Sequence, residues 1–156
     1  MEWSCRRPSP LGGLTLTGDG AALTGLWFDG QRHYPSVLPP AREDLPLWRE
    51  ADRWLEQYFR GGVPDFTPPL APKGTPFQNA VWALLRTIPY GETRSYGALA
   101  EQLGRASPRA VGGAVARNPI SLIIPCHRVV GSGGSLTGYA GGLERKEWLL
   151  RLEQSR

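Results

Sequence analysis

A cysteine, a histidine and an arginine follow one another at positions 126 to 128, directly after Pro125, in a segment rich in β-branched residues. A thiolate is a strong nucleophile and a histidine can remove a thiol proton, so Cys126 and His127 could carry out nucleophilic chemistry. Neighbouring side chains point to opposite faces of an extended segment, so His127 would act on Cys126 through a bridging water. Free cysteines are also commonly buried hydrophobic residues, so the pair alone does not establish a catalytic site.

A carboxylate would be needed to orient the histidine ring in such a site. The C-terminal sequence predicts a helix over residues 143–152, and Glu147 lies in the middle of it. We therefore predict that Glu147 is the carboxylate that contacts His127.

Length and composition limit the class of protein. The 156 residues are 40% hydrophobic and 10% aromatic, enough for one packed domain or two very small ones. The two cysteines, Cys5 and Cys126, cannot form a disulfide framework, and neither has the neighbouring ligands of a zinc cluster. The apolar runs are too short to span a membrane, and the N-terminus lacks a signal-peptide pattern. We therefore expect a cytoplasmic protein with no metal, no cofactor and no membrane contact.

Positive charge is concentrated in the C-terminal half. Residues 1–72 carry 7 basic and 9 acidic side chains, whereas residues 73–156 carry 11 basic and 5 acidic ones. Sixteen of the 18 basic residues are Arg, whose planar guanidinium suits phosphates and base edges. A nucleic-acid partner explains this bias, and so does a genome rich in Arg codons. The change of charge falls in a Pro- and Gly-rich stretch, and predicts two domains over residues 1–72 and 73–156.

The N-terminal domain has the pattern of a small scaffold. Apolar runs over residues 13–17 and 22–28, with Asp-Gly turn dipeptides, predict an antiparallel hairpin. Apolar residues at every third or fourth position over residues 46–59 predict an amphipathic helix that packs on this sheet and ends at Gly61. The aromatic residues of this helix are interpreted as core.

The C-terminal domain begins with three predicted helices. A capping box starts the first helix at Thr75, Ser95 caps a short second helix, and Ser107 starts a third that must end before Pro119. A short helix, a tight turn and a second helix with Arg109 in its first turn form a helix-turn-helix pattern. This pattern is typical of nucleic-acid-binding domains.

The third helix is rich in small residues, which are Ala110, Gly112, Gly113, Ala114 and Ala116. Each glycine makes a helix about 1 kcal/mol less stable than alanine would. Glycines in this helix therefore indicate that another surface approaches it closely. A nucleic-acid backbone and a neighbouring helix are equally compatible with this pattern.

These motifs closely resemble the O6-alkylguanine-DNA alkyltransferases, also called methylated-DNA-protein-cysteine methyltransferases. Three ordered stretches carry the resemblance: Arg109-Ala110-Val111-Gly112-Gly113-Ala114 with Asn118-Pro119, Pro125-Cys126-His127-Arg128-Val129, and Tyr139-Ala140-Gly141-Gly142 with Lys146-Glu147-Trp148-Leu149-Leu150. It runs from about residue 74 to residue 153. The resemblance implies an α+β fold in which a small ribonuclease-H-like sheet-plus-helix domain precedes a mostly helical, winged-helix-like helix-turn-helix domain.

The resemblance also implies direct-reversal DNA repair without a cofactor. In this family the cysteine thiolate attacks the alkyl carbon on guanine O6, and a stable thioether remains on the protein. Cys126 would be the nucleophile, His127 the base acting through water, and Glu147 the group that holds the histidine tautomer. A thioether is a poor leaving group, so each molecule would react once, on O6-alkylguanine and also on O4-alkylthymine.

Double-stranded DNA is the partner that the resemblance implies. Arg109 would fill the gap left by a flipped nucleotide, and Tyr96 would rotate its phosphate and donate a hydrogen bond to the base. Ala110, Gly112 and Gly113 would lie in the minor groove with little sequence preference. The protein is expected to act as a monomer.

A base pocket is implied around the cysteine. Backbone groups of Cys126, Val129 and Ala140 would bind the guanine, and Tyr139 would close one wall. Asn118 would tie the end of the third helix to the cysteine loop. Many family members have Ser where this chain has Ala140, but a main-chain N–H is the donor there, so the difference is compatible with activity.

Three other functions fit parts of the sequence. Alkyltransferase-like proteins bind alkylated DNA without chemistry, but they lack the cysteine found here at position 126. A Cys-His hydrolase usually activates its thiol at a helix N-terminus with a distant histidine, whereas Pro125 precedes this thiol and its histidine is adjacent. A transcription regulator would leave Cys126, His127 and Glu147 without a role.

Overall fold

The computed structural model describes residues 1–155, which form a three-stranded antiparallel sheet, a two-stranded parallel sheet and five α-helices. The strands are β1 (Trp3–Arg7), β2 (Leu14–Gly18), β3 (Leu23–Phe28), β4 (Arg94–Ser95) and β5 (Val129–Val130). The helices are α1 (Pro46–Phe59), α2 (Pro76–Leu85), α3 (Tyr96–Gln102), α4 (Pro108–Ala116) and α5 (Leu143–Gln154). The predicted α+β class is confirmed, with a sheet and one helix followed by a mostly helical half. Within residues 1–155, no helix has the length and apolar character needed to cross a membrane.

The N-terminal sheet has the strand order β1-β2-β3. Strands β2 and β3 are the predicted hairpin, whereas β1 is an additional strand that pairs with β2. Arg6 and Arg7 interrupt the apolar pattern of β1, which is why the sequence does not reveal it. The Arg7 side chain forms ion pairs with Asp52 at 2.8 Å and Glu43 at 3.0 Å. These pairs keep the charge of this strand at the protein surface.

Helix α1 packs on the sheet as predicted. Its buried side chains recur at helical spacing and are Leu47, Trp48, Ala51, Trp54, Leu55 and Tyr58. The contact with the sheet is close at Gly18, where a β-carbon would lie only 2.6 Å from the Leu47 side chain. Gly61, just beyond the helix, has φ +86°, a conformation that glycine adopts without strain.

The three predicted helices of the C-terminal half begin where their caps predict. Thr75 forms a capping box with Gln78 at the start of α2, and the side chains of Ser95 and Ser107 cap α3 and α4. Helix α4 packs against both α2 and α3. The helix-turn-helix is therefore formed by α3 and α4, with α2 behind it.

The outer edge of β3 holds the segment that leads to the cysteine. The Leu26 N–H donates to the Pro119 carbonyl at 2.8 Å, and the Ser121 N–H donates to the Leu26 carbonyl at 2.9 Å. The same edge also pairs with residues 69–71. One cluster of buried apolar residues runs through both halves of the chain. The sheet thus anchors the segment before Cys126. The predicted domain boundary between residues 72 and 73 stays a prediction.

Candidate functional site

The predicted nucleophile lies in a turn of 3₁₀ helix, Cys126–Arg128, and not in an extended segment. Leu122 has φ +71°, in the left-handed region that is unfavourable for a branched side chain, and redirects the chain from β3 toward this turn. Successive side chains of a 3₁₀ helix diverge by about 120°. Cys126 and His127 therefore point in different directions, as they would in a strand.

Asn118 joins the end of α4 to the cysteine loop, as the resemblance predicts. Its amide group donates to the Ile124 carbonyl at 2.8 Å, and its side-chain oxygen accepts from the Ile120 N–H at 3.0 Å. The parallel pairing of Arg94 with Val129 adds a second link, from the start of α3 to the residue after the 3₁₀ turn. The helix-turn-helix and the cysteine are thus held in fixed relative positions.

The carboxylate beside His127 belongs to Glu153, and the prediction of Glu147 is wrong. His127 Nε2 lies 2.6 Å from Glu153 Oε2, and both side chains are fully buried. Glu147 lies on the outer face of α5, where its side chain is 48% exposed and pairs with Arg151 at 2.6 Å. Positions six residues apart differ by about 240° around a helix, so Glu147 and Glu153 cannot face the same neighbour.

Glu153 is held by several donors. It accepts hydrogen bonds from the Tyr58 hydroxyl at 2.7 Å, from Arg128 Nε at 2.8 Å and from the Gly91 N–H at 3.1 Å, in addition to the His127 contact. Burial opposes ionisation of this carboxyl, but hydrogen bonds from His127 and Arg128, together with the Arg128 charge, outweigh burial and lower its pKa to about 2. Glu153 is therefore ionised at neutral pH.

His127 is neutral at the same pH. Burial lowers its pKa below the ordinary value, against the opposing effect of Glu153. A carboxylate can only accept a hydrogen bond, so Nε2 of the neutral ring carries the proton. Nδ1 is buried and has no hydrogen-bond partner among the atoms of residues 1–155. Its lone pair can therefore accept a proton from the reacting group.

The thiol of Cys126 is 3% exposed and protonated in the resting protein. Burial raises its pKa, and the opposing effects of the Asn118 side chain and the Lys146 charge do not cancel this rise. A thiol in this state needs a base before it can act as a nucleophile. The neighbouring neutral histidine is suited to that task.

Lys146 is a buried charged residue to which the sequence analysis gave no role. Its Nζ donates to the carbonyls of Val129 at 2.5 Å, Thr137 at 2.9 Å and Gly138 at 3.1 Å. Burial lowers its pKa to about 8. Lys146 thereby fastens the loop before Tyr139 to the end of the cysteine turn.

A cavity of about 490 Å³ lies between the helix-turn-helix and the loop that contains Tyr139, a size that is ordinary for a small-molecule site. Its walls come from both helices of the helix-turn-helix, from the loop after β5 and from the N-terminal half: Arg32, Tyr96, Pro108, Arg109, Gly112, Ala116, Thr137, Gly138, Tyr139 and Ala140. Burial, and then the effect of Cys126, raise the pKa of the Tyr96 and Tyr139 phenols. Within residues 1–155, no group of three or more His, Cys, Asp or Glu side chains could hold a metal ion.

The structure brings five of the twelve predicted site residues together around this cavity. Tyr96, Arg109, Gly112, Tyr139 and Ala140 line it. The other predicted residues lie outside its walls: Ala110 and Gly113 are exposed on α4, whereas Asn118, Cys126, His127 and Val129 are buried.

The small residues of α4 have two kinds of neighbour. Ala114 is buried, and its carbonyl accepts a hydrogen bond from the Trp82 indole at 2.8 Å. A β-carbon on Gly112 would lie 3.8 Å from the Tyr96 ring, whereas one on Gly113 would have no atom of the described chain within 4 Å. Helix packing therefore explains Ala114, and Gly113 has an open surface in front of it.

Arg32 is a site residue that the sequence analysis missed. It lines the cavity from the N-terminal half, and its backbone N–H donates to the Ala140 carbonyl at 2.8 Å. The segment around it is a loop with no periodic pattern, so nothing in the sequence indicates that it meets the cavity. The half interpreted as scaffold thus supplies part of the wall.

Residues 76–155 match the family model described as the DNA binding domain of 6-O-methylguanine DNA methyltransferase. Two similar relatives are named methylated-DNA-protein-cysteine methyltransferase. The relative from Methanosarcina acetivorans is 49% identical over 148 residues, which are 94% of this chain and 95% of the relative. The relative from Mycobacterium tuberculosis is 48% identical over 149 residues, which are 95% of this chain and 90% of the relative.

Solved structures of M. tuberculosis proteins have the same fold. The crystal structure of an O6-methylguanine methyltransferase matches with a TM-score of 0.87 and 46% identity, covering 100% of this chain and 94% of that chain. A structure of OGT in complex with DNA matches with a TM-score of 0.85 and 45% identity, covering 99% of this chain and 92% of that chain.

Proposed function

The chain belongs to the methylated-DNA-protein-cysteine methyltransferase family, and we propose that Cys126 is the residue that accepts the alkyl group. The protein binds DNA and repairs it by direct reversal, transferring the alkyl group of O6-alkylguanine to its own cysteine. The observation that carries the assignment to Cys126 is the buried contact of 2.6 Å between His127 and Glu153, which leaves a basic nitrogen on the residue next to the thiol.

The chemical step uses His127 as the base. Nδ1 takes the thiol proton through one water molecule, and the charge that develops on the imidazole is stabilised by the Glu153 carboxylate. The thiolate then attacks the alkyl carbon in line. The S–C bond forms, the C–O bond breaks, and the electron pair leaves with the guanine, which takes up a proton and becomes the normal base. The thioether is not removed, so one protein molecule repairs one lesion.

The DNA-binding step exposes the target base. O6 lies inside the base stack and Cys126 is buried, so the nucleotide must leave the duplex to react. Arg109 occupies the gap in the stack, and Tyr96 binds the flipped nucleotide. The position of both residues on the cavity wall supports these roles.

Helix α4 lies in the minor groove and makes no base-specific contacts. The open surface in front of Gly113 and the exposed Ala110 support this placement, because small side chains allow a close approach. Affinity then comes from phosphate contacts and depends strongly on salt. We assign the protein to the cytoplasm as a monomer, with O4-alkylthymine as a second substrate, on the basis of the sequence pattern.

Intact-protein mass spectrometry tests the assignment. Wild-type protein is incubated with a duplex that contains one O6-methylguanine, and we expect the mass to increase by one CH₂ per molecule. The Cys126→Ala variant should show no gain, and Cys5→Ala, which removes the other free cysteine, should gain as the wild type does. Peptide mapping should locate the methyl group on Cys126.

Two other results would contradict the proposal. Methylation of wild type and Cys126→Ala alike would place the acceptor elsewhere in the chain. Tight binding of the lesion without any mass gain would identify a protein that binds alkylated DNA and leaves the repair to others.

A further inference from the structure

Tyr58 reaches from helix α1 into the hydrogen bonds around His127. Its side chain is fully buried, and its hydroxyl donates to Glu153 Oε2 at 2.7 Å. The same hydroxyl oxygen lies 3.4 Å from His127 Nε2. Tyr58 and His127 therefore share one carboxylate oxygen, although they come from different halves of the chain.

The ring of Tyr58 is fixed by its neighbours. It stacks on Trp54, with ring centroids 5.1 Å apart and an angle of 8°, and it meets the His127 ring edge-on at 6.3 Å and 69°. Burial, and then the charge of Glu153, raise the pKa of Tyr58 far above its ordinary value. The hydroxyl therefore keeps its proton and acts as a donor throughout the accessible pH range.

We propose that Tyr58 is a positioning residue for alkyl transfer: its hydroxyl fixes the Glu153 carboxylate, and through it the His127 ring, so that Nδ1 faces the reaction. This inference rests on the proposed role of His127 as base. The N-terminal half would then contribute to alkyl transfer, because the Tyr58 hydroxyl of helix α1 orients the base without touching the substrate.

The hydroxyl also weakens the electrostatic effect of Glu153 on the histidine. A hydrogen bond to Oε2 withdraws negative charge from the oxygen that faces Nε2, so less of that charge stabilises the imidazolium form. The other charged groups that affect His127 are Arg128, in its own turn, and Lys146, from α5, and both lower its pKa. Removal of the Tyr58 hydroxyl should therefore leave Glu153 freer to raise the pKa of His127.

The Tyr58→Phe variant tests this inference because it keeps the buried ring. Single-turnover methyl transfer from an O6-methylguanine duplex is measured between pH 5 and pH 9. We expect the rate at neutral pH to fall about tenfold, as when one hydrogen bond to a charged group is lost, and the midpoint of its acidic limb to move to higher pH. Affinity for the lesion duplex should stay unchanged, because Tyr58 lies outside the cavity wall.

A control variant separates positioning from packing. Trp54→Phe disturbs the stacked ring of α1 but leaves the Tyr58 hydroxyl in place, so it should lower the melting temperature without moving the pH midpoint. A loss of rate in Tyr58→Phe with an unchanged midpoint would show that Tyr58 is only a packing residue. An unchanged rate would also overturn the proposal.

A fluorinated tyrosine at position 58 gives a test that retains the fold. Fluorine makes the hydroxyl a stronger donor while the ring keeps nearly its size, so the midpoint should move to lower pH, opposite to the effect of phenylalanine. A shift in the same direction, or no shift, would reject the inference. Wild-type protein that gains no methyl group at all would instead contradict the proposed function, so the two failures are distinguishable.

Discussion

His127 and Glu153 are joined by a contact of 2.6 Å inside the protein, and this contact decides which ring nitrogen can act as the base. Glu153 cannot turn away, because Arg128 and the Gly91 N–H hold its other oxygen at 2.8 Å and 3.1 Å. With Nε2 committed to the carboxylate, Nδ1 is the nitrogen left for proton transfer. Control of the histidine tautomer thus depends on a residue in the last turn of α5.

Substitution of Glu153 should therefore impair the chemistry. The Glu153→Gln side chain keeps the shape, but its amide NH₂ can donate to Nε2 and so favours the wrong tautomer. We expect the rate of methyl transfer to fall by about 10² to 10⁴, the range found for groups that support a general base. Single-turnover kinetics on the lesion duplex give this rate.

Glu147→Gln is the matched control, since it makes the same change on the exposed face of the same helix. Its rate should equal that of the wild type. Equal rates in both variants would remove Glu153 from the mechanism. The variants must be compared where both are folded, because Glu153→Gln leaves the Arg128 charge without its buried partner.

The same buried carboxylate should make stability depend on acid. Its folded-state pKa of about 2 lies below the reference value of 4.5, so the unfolded chain binds the proton more readily. The contribution of Glu153 to the free energy of unfolding is therefore fully present above pH 4.5. It is lost as the pH falls from 4.5 through about 2, and amounts to up to about 3 kcal/mol. His127, whose pKa is lowered from 6.5, adds a loss that begins as the pH falls below 6.5.

Urea unfolding at a series of pH values measures this dependence. The free energy of unfolding of the wild type should decrease from pH 7 to pH 3, and Glu153→Gln should show a shallower decrease below pH 4.5. Glu147→Gln should follow the wild type. A Glu153→Gln profile as steep as that of the wild type would mean that other groups cause the acid sensitivity.

The wrong prediction of Glu147 shows that the sequence of α5 predicts the helix but not which of its faces is buried. The helix itself is predicted from residue 143, but its buried face follows the spacing Lys146, Leu149, Leu150 and Glu153. Two of these four residues are charged, so a pattern based on apolar residues does not identify the face. Their burial depends on partners from distant parts of the chain, such as the carbonyls bound by Lys146.

The helix-turn-helix and the candidate nucleophile could be read from the sequence because their information is local. Capping residues and prolines define α3 and α4, and the Cys126-His127 pair is adjacent in sequence. Tyr58 and Arg32 were not predictable, since an aromatic residue in an apolar stripe and an arginine in a loop give no sign of their long-range contacts. The contribution of the N-terminal half to the site emerges only when the fold is known.

Substitution of Gly113 by alanine should make the protein more stable and weaken its binding to DNA. Gly113 lies in α4, four residues after Arg109 and on the same face, with no protein atom of the described residues near its missing β-carbon. Gly113→Ala should raise the free energy of unfolding by about 1 kcal/mol, because alanine is the better helix former. If α4 lies against DNA, the added methyl group should also weaken duplex binding.

Thermal unfolding and fluorescence anisotropy with a labelled duplex measure the two effects on one variant. A higher melting temperature together with a higher Kd is the expected result. A more stable variant that binds DNA as the wild type does would show that this face of α4 does not approach the duplex.

Arg109→Ala should slow repair of duplex DNA much more than repair of single-stranded DNA. Arg109 is exposed at the wall of the cavity, and its proposed task is to fill the gap left by the flipped nucleotide. Unstacking costs a few kcal/mol in a duplex and far less in a single strand, so the arginine matters only for the duplex. We expect the duplex rate to fall by about 10- to 100-fold and the single-strand rate to change little, in single-turnover assays with O6-methylguanine in each context.

Arg151→Ala is the control, because it removes one positive charge from the outer face of α5. This variant should leave the ratio of the duplex rate to the single-strand rate unchanged. Equal losses on both substrates would mean that Arg109 contributes through general attraction to phosphate and not through base flipping.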